Sequence, residues 1–592
     1  MKSFQYIFLL IVFSLFSCTN KETPTLESTL KTTVNQQIDS LNTSLIQLSK
    51  CTKKEDAKIQ FSKCRTIYKK TEPFVEYYFQ GFSRRINGPA LPDVKIDDNV
   101  VNDPTGFQVI EEVIFSDEEL NLTKLKSEIE ILKTDLLFVK NNLKDFPIQN
   151  HHLYELLQHQ IIRTATMGIT GFDSPVAFLS IQETNNSLEG IRQYFAVFCK
   201  KNEVKNKEKF TQILSKNQDY LNKNNDFNSF NRLVFIKDYL MPLSVEFEIA
   251  FKDYLKDSPK GIKPFNGTLS DLMQGKGLNP DAFSPFADSK TNAAKTALGK
   301  QFFNDKNLSK NNTISCASCH NADKAFTDGL QFSTVKVHNQ STSRNSPTLM
   351  YAAFQKSFFF DLRSQDLENQ IEEVMKNPNE FNLSTQEITT RLTQQEAYKS
   401  LLAKAFPDKK EITPFEIRNA IASYVRSLMP FNAKIDNYFK GKVTLTKEEE
   451  NGFNLFAGKA KCASCHFIPL YNGTVPPWYN NSESEVIGVP KSINWKNAVV
   501  DSDLGRYNTN QIEQFRFSFK TPTIRNIAKT APYMHNGIYT NLEDVLKFYE
   551  LGGGNGIGMQ LEFQTLPFDN LKLNEKEKKD IILFMKTLTD NY

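Results

Sequence analysis

Cys316-Ala317-Ser318-Cys319-His320 returns later in the chain, residue for residue, as Cys462-Ala463-Ser464-Cys465-His466. Two thiols two residues apart, followed at once by an imidazole, suit one prosthetic group above the rest. The thiols add to the two vinyl groups of a haem, and the adjacent His becomes the proximal iron ligand. A zinc site needs four ligands of Cys or His type, whereas each segment offers three and has no second Cys-x-x-Cys nearby. A thioredoxin-like dithiol has no use for the His and belongs beside a βαβ pattern, which is absent. Two covalent haems c are therefore expected, one on Cys316, Cys319 and His320, the other on Cys462, Cys465 and His466.

Working outward, Gly299-Lys300-Gln301-Phe302-Phe303 precedes the first segment and Gly452-Phe453-Asn454-Leu455-Phe456 precedes the second. The second half thus reads as a duplicated haem unit. Thr446 with Glu449 three residues on is a capping-box pattern that opens a helix before the second segment. Upstream, Leu125, Ile129, Leu132 and Leu136 fall on one helical face, and Phe230–Leu255 repeats such spacing with one interruption at Pro242. Between Asp257 and Ser289 the density of Gly, Pro, Ser and Asn predicts a linker or a wrapping loop. The expected fold is all-α: an N-terminal helical bundle followed by two cytochrome c-like haem domains with long loops, such as 466–520. The expected divisions are a signal peptide over 1–17, a helical module over 18–256, a linker over 257–289, and haem domains over 290–435 and 436–592.

The chain has 592 residues with 40% hydrophobic and 24% charged, and its net charge of +4 carries no basic block. That composition is globular and gives no reason to expect nucleic acid as a partner. Met1-Lys2, the apolar run Tyr6–Phe16 and then Leu15-Phe16-Ser17-Cys18 resemble a bacterial lipoprotein signal, with Cys18 as the lipidated residue. A plain secretory signal is the alternative, and both export the protein. No later run approaches the roughly 20 apolar residues of a membrane span, so membrane contact is expected through the lipid alone, on the periplasmic side of the envelope. Of the remaining cysteines, Cys51 and Cys64 are a candidate disulfide pair, and Cys199 has no evident partner.

From about residue 295 onward the chain resembles the bacterial di-haem cytochrome c peroxidase superfamily, including its MauG-type oxidases. The motifs are Leu298-Gly299-Lys300 leading into Cys316, Arg344-Asn345-Ser346-Pro347-Thr348, Phe359-Phe360-Asp361-Leu362-Arg363, Thr521-Pro522-Thr523-Ile524-Arg525-Asn526 and Ala531-Pro532-Tyr533-Met534-His535-Asn536-Gly537. The resemblance implies Glu380 as the acid–base group beside the first haem, helped by Gln370, with Glu372 and Glu373 as competitors. It implies a gating ligand for that haem at His338, and Phe360 at the inter-haem position commonly held by Trp. It also places Tyr549 where many relatives carry Met as the distal ligand of the second haem, with Met559 as a substitute, and a calcium ion at Asn345, Thr530 and Pro532. Tyr at this position is a feature of the oxidases.

Asn87–Pro92 and Gly106-Phe107-Gln108-Val109-Ile110-Glu111 resemble the imelysin-like helical proteins, with Gln108 in place of their His. His151, His152 and His159 share one segment there and read as surface or core residues. The resemblance implies a peroxidase that takes electrons from reduced cytochrome c or a similar donor and turns hydrogen peroxide into water; a homodimer is compatible with it. A MauG-type oxidase of a protein or organic substrate, or a non-catalytic electron carrier, are the alternatives. A distal acid argues against the carrier.

Overall fold

The computed structural model describes residues 24–592 apart from 97, 99, 257, 260 and 336–339. The signal segment with Cys18, and His338, lie outside the described residues. The architecture is helical, with three two-stranded antiparallel ladders: Asp93–Lys95 with Val100–Asn102, Thr334–Val335 with Gln340–Ser341, and Ser484–Val486 with Ser518–Lys520. Among the described residues no helix is long and apolar enough to cross a membrane.

The N-terminal half is a bundle built on the helices Leu26–Leu48, Lys54–Tyr78, Leu122–Asn142, Asn150–Thr166, Ser180–Lys201 and Lys207–Lys223. Helix Leu122–Asn142 buries Leu125, Ile129, Leu132 and Leu136, the face that the spacing predicts. Ahead of Pro242 the chain takes a π turn over Phe235–Leu240 before the helix Met241–Phe251. Proline has no N–H to donate, so the ladder shifts register just upstream of it. Segment 257–289 includes the capped helix Leu269–Met273, whose Leu269, Leu272 and Met273 are buried.

The bundle also holds a buried ionic network. Arg163 Nη1 and Lys69 Nζ each lie 2.7 Å from Asp173 Oδ2, Lys69 Nζ lies 2.6 Å from Glu72, and Arg65 Nε lies 2.5 Å from Glu183. Charges taken out of water are tolerated only when partnered in this way. Gln108 is a tie beside it, its Nε2 donating to the carbonyls of Asn87 and Phe172 at 3.0 Å each. Cys51 and Cys64 are separate thiols, contrary to the candidate pairing: Cys64 Sγ sits 3.2 Å from Ser44 Oγ and Cys51 Sγ 3.5 Å from the Gln47 carbonyl.

The duplicated glycine segments have one shared structural reason. Helix Ala293–Asn304 crosses helix Pro414–Arg426, and helix Lys447–Phe456 crosses helix Glu575–Lys586. A Cβ on Gly299 would collide with the Ala420 carbonyl, and one on Gly452 with the Asp580 carbonyl. The backbones therefore approach as only glycine allows. Aromatic rings close each crossing, Phe303 at 5.1 Å from Tyr424 and Phe456 at 5.2 Å from Phe584. Thr446 and Glu449 form the expected capping box, with Thr446 N–H donating to Glu449 Oε2 at 2.8 Å.

Candidate functional site

Each Cys-x-x-Cys-His segment forms one tight helical turn, with His320 N–H donating to the Cys316 carbonyl at 2.9 Å and His466 N–H to the Cys462 carbonyl at 3.0 Å. The thiols and imidazole thereby come to one side of a single turn. His320 Nδ1 lies 3.0 Å from the Phe326 carbonyl, and His466 Nδ1 lies 3.1 Å from that of Pro522 and 3.3 Å from that of Tyr471. A carbonyl only accepts, so Nδ1 carries the proton and Nε2 keeps its lone pair for a metal. Burial pushes the His466 imidazole down to about 4 and lowers that of His320. Both are thus held in the neutral form that ligation requires. Burial also raises the Cys316 and Cys462 thiols to about 12.

Glu380 sits in the turn after helix Leu367–Lys376, where Asn377 Nδ2 donates to its Oε1 at 2.7 Å. Burial raises its carboxyl to about 7, against the lowering pull of Asn377 and Arg363. Its charge in turn helps raise the thiols of Cys316 and Cys319, which puts it beside the first Cys-x-x-Cys-His segment. The competitors are occupied: Glu372 pairs with Lys376 and Arg418, and Glu373 with Arg363 at 2.8 Å. Among the described residues Glu380 makes no ion pair. Gln370 lies half-buried on the same helix.

Two of the sequence motifs stitch this loop to the second half. Arg344 donates to Asp361 and to Asp503 at 2.6 Å each, and Arg363 donates to Asp361 at 2.8 Å while lying 3.5 Å over the Phe359 ring. Charge-assisted bonds that meet at Asp361 and at the Arg344 guanidinium fix all three segments relative to one another.

Around the second segment lies a cavity of about 1380 Å³, larger than the roughly 300–1,000 Å³ of an ordinary small-molecule site. Cys462, Cys465, His466, Tyr549, Phe360, Met534 and His535 line it, as do Asn345, Thr530 and Pro532; Glu380, Gln370 and Met559 do not. Burial pushes the Tyr549 phenol upward, aided by the neighbouring Cys465 and Cys462. Asn345 holds its place by donating Nδ2 to the Leu330 carbonyl at 2.8 Å and N–H to the His535 carbonyl at 2.7 Å. Its Oδ1 accepts none of the described hydrogen bonds.

The same cavity has features that the sequence reading missed. Arg506 and Lys520 line it, and neither joins an ion pair among the described residues. Burial lowers Arg506 to about 10 and Lys520 to about 8. Cations left without carboxylates suit a ligand that brings its own, as the propionates of haem would. A haem fits the donor set: two thiols, a neutral imidazole with Nε2 free, and half-buried cations at the wall. The helical module supplies a further wall through Arg84, Asn87, Phe172 and Phe178. No periodicity pointed there, because those contacts join residues hundreds of positions apart.

Helical haem units with two such segments define a covalent di-haem cytochrome. The family described as di-haem cytochrome c peroxidase matches residues 293–444. Cytochrome-c peroxidase IdrP2 of Pseudomonas sp. (strain SCT) is 33% identical over 54% of this chain and 88% of its own length. The methylamine utilization protein MauG of Methylorubrum extorquens is 31% identical over 50% of this chain and 78% of its own, and cytochrome c551 peroxidase of Nitrosomonas europaea is 33% identical over 50% and 80%. A solved MauG-like protein associated with microbial copper homeostasis is 30% identical, with a TM-score of 0.47 over 52% of this chain and 92% of its own. The chain belongs to the di-haem cytochrome c peroxidase family, and the family's cofactors are two haems c.

Proposed function

We propose that this protein reduces hydrogen peroxide to water at the first haem, with Glu380 as the acid–base group and electrons arriving one at a time by way of the second. When bound, the haem on Cys316 and Cys319 supplies the iron that receives peroxide and the electrons that cleave its O–O bond. The chain supplies the proton traffic. Glu380 takes the proton from one peroxide oxygen and returns it to the other, so that the departing oxygen leaves as water. With two electrons and two further protons, peroxide becomes two waters. His320, its Nδ1 tied to the Phe326 carbonyl, would hold the iron of that haem through Nε2.

The observation that carries this reading is the half-buried Glu380 carboxyl, poised near 7 with no ion pair among the described residues, beside the first Cys-x-x-Cys-His segment. A base with a pKa near the working pH is the efficient one, and an electron carrier has no need of it. The test reduces the protein by one electron, adds stoichiometric peroxide, and follows the haem spectrum with and without ferrocytochrome c. A haem response together with oxidation of the cytochrome is expected, and silence of the haem sinks the reading. Glu380→Gln is expected to keep both haems and lose about 10²–10⁴-fold in turnover.

Tyr549 favours a second reading, an oxidase of a protein or organic substrate. Its place in the wall that holds Cys462, Cys465 and His466 suits an oxygen ligand to the second haem. An anionic oxygen donor stabilises ferric iron and lowers the potential, which weakens an electron-reservoir role. Tyr549→Phe is expected to change the spectrum of the second haem alone; an unchanged spectrum removes Tyr549 as a ligand. Peroxide response without cytochrome turnover would turn the assignment toward this reading. Export with a lipid on Cys18, His338 as the gating ligand, and calcium at Asn345, Thr530 and Pro532 complete the proposal. So do the divisions at 256, 289 and 435.

A further inference from the structure

Trp478, one of two tryptophans in the chain, lines the cavity shared by His466 and Tyr549. Its indole N–H donates at 3.3 Å to the Glu76 carbonyl, crossing from the second haem's half to the helical module. Next along that helix, the Tyr77 ring lies 5.4 Å from Trp478, and the Tyr78 ring 4.9 Å from Tyr77. Tyr77 donates its hydroxyl to Glu155 Oε2 at 2.6 Å, and Lys263 Nζ donates to the other oxygen at 2.6 Å. Tyr78, half-buried, ends the series at the rim of the module, donating to the Pro147 carbonyl at 2.8 Å.

Most aromatic pairs in the module are packing alone, such as Phe198 and Phe251 with centroids 4.1 Å apart. This series differs in chemistry and in its ends. It consists of the side chains that lose an electron most readily, it starts at the cavity lined by His466, and it finishes at a half-buried Tyr whose hydroxyl bond is exposed. A phenol becomes a much stronger acid once oxidised, so a buried Tyr gives up its electron readily only where a base waits for the proton. Glu155 is such a base. Burial pushes its carboxyl up, but Lys263 and Tyr77 outweigh that and hold it below the ordinary value, hence ionised. Burial and Glu155 together raise the Tyr77 phenol, which keeps its proton at rest.

We propose that Trp478 and Tyr77 form a one-electron relay between the second haem and the surface of the helical module at Tyr78, with Glu155 holding the Tyr77 proton while the electron is away. The proposal rests on the peroxide reading, which supplies the oxidant. After peroxide has withdrawn two electrons from the protein, Tyr77 gives one back through Trp478. Its O–H bond breaks, the electron passes to the second haem, the proton to Glu155, and a neutral tyrosyl radical is left. A one-electron reductant at the surface then returns the electron and Glu155 returns the proton. The relay ends unchanged, and one reductant has been oxidised.

The test treats the one-electron-reduced holoprotein with peroxide, freezes it, and records electron paramagnetic resonance beside the haem absorption. The wild-type protein is expected to show a tyrosyl radical that Tyr77→Phe and Trp478→Phe each abolish, while Tyr77→Phe keeps two haems and the peroxide response of the haem. Glu155→Gln is expected to lose most of the signal, since the amide accepts no proton. Tyr77→Phe removes one oxygen and keeps the ring, so it decides the matter even if Trp478→Phe does not fold. A tyrosyl signal unchanged in Tyr77→Phe, or none in wild type despite a haem response, overturns the relay and leaves the peroxidase standing. No haem response overturns both.

Discussion

Glu380 sits between two tendencies: burial favours its protonated form, while Asn377 and Arg363 favour the carboxylate. Burial wins, lifting the pKa from 4.5 to about 7. If its carboxylate takes the peroxide proton, activity should rise with pH through a midpoint near 7, and Glu380→Gln should remove that midpoint along with the rate. Stability should run the other way. Between pH 4.5 and about 7 the folded protein keeps a proton that the unfolded chain has lost. The folded state then binds more protons, so stability falls as pH rises through this window. The Glu380 contribution is most favourable below 4.5 and fully lost above about 7. Thermal melts of wild type and Glu380→Gln across this range check it: the variant should lack this part of the slope. Identical slopes would mean that Glu380 titrates as an exposed carboxylate.

At the scale of elements, the paired glycines make the duplication physical. Gly299→Ala should push helix Ala293–Asn304 off helix Pro414–Arg426, and Gly452→Ala should do the same to helix Lys447–Phe456 against helix Glu575–Lys586. Overpacking of this kind costs about 1–3 kcal/mol, read as a lower Tm, against the slight gain that Gly→Ala gives in an exposed helix. A gain at either site would mean the backbones are not in contact. These elements were legible in the sequence because their determinants are local: glycine and aromatics at fixed offsets, the Thr446–Glu449 box, and Leu125 to Leu136 on one face. The attachment turns were legible for the same reason. Arg506, Lys520 and Trp478 were not, because each matters only through a cavity assembled from distant segments. The Cys51–Cys64 pairing failed because nearness in sequence does not set where thiols point: helix Lys54–Tyr78 turns Cys64 inward to Ser44.

On the scale of the whole molecule, the N-terminal helices wall the cavity around Cys462, Cys465 and His466, and a small joint holds them there. Arg232, fully buried, donates to the carbonyls of Ile169 and Phe227 at 2.8 Å and of Phe230 at 3.2 Å, and lies 4.4 Å over the Phe227 ring. Gly458, four residues before Cys462, packs on it so closely that a Cβ would lie 2.6 Å from the guanidinium. Beside this contact, Leu233 N–H donates to Asn454 Oδ1 and Asn454 Nδ2 to Asn231 Oδ1, both at 3.1 Å. Arg232→Met would leave the buried Ile169 and Phe227 carbonyls without donors, each costing about 1–3 kcal/mol, while Phe230 keeps the bond from the backbone N–H of residue 232, and would loosen the backbone just ahead of Cys462. Its Tm should therefore drop, and the spectrum and reduction potential of the second haem should shift while those of the first stay put. Gly458→Ala presses the same joint from the other side and should shift the same haem. If both haems respond equally, or neither does, the joint is not what seats the module over the second haem.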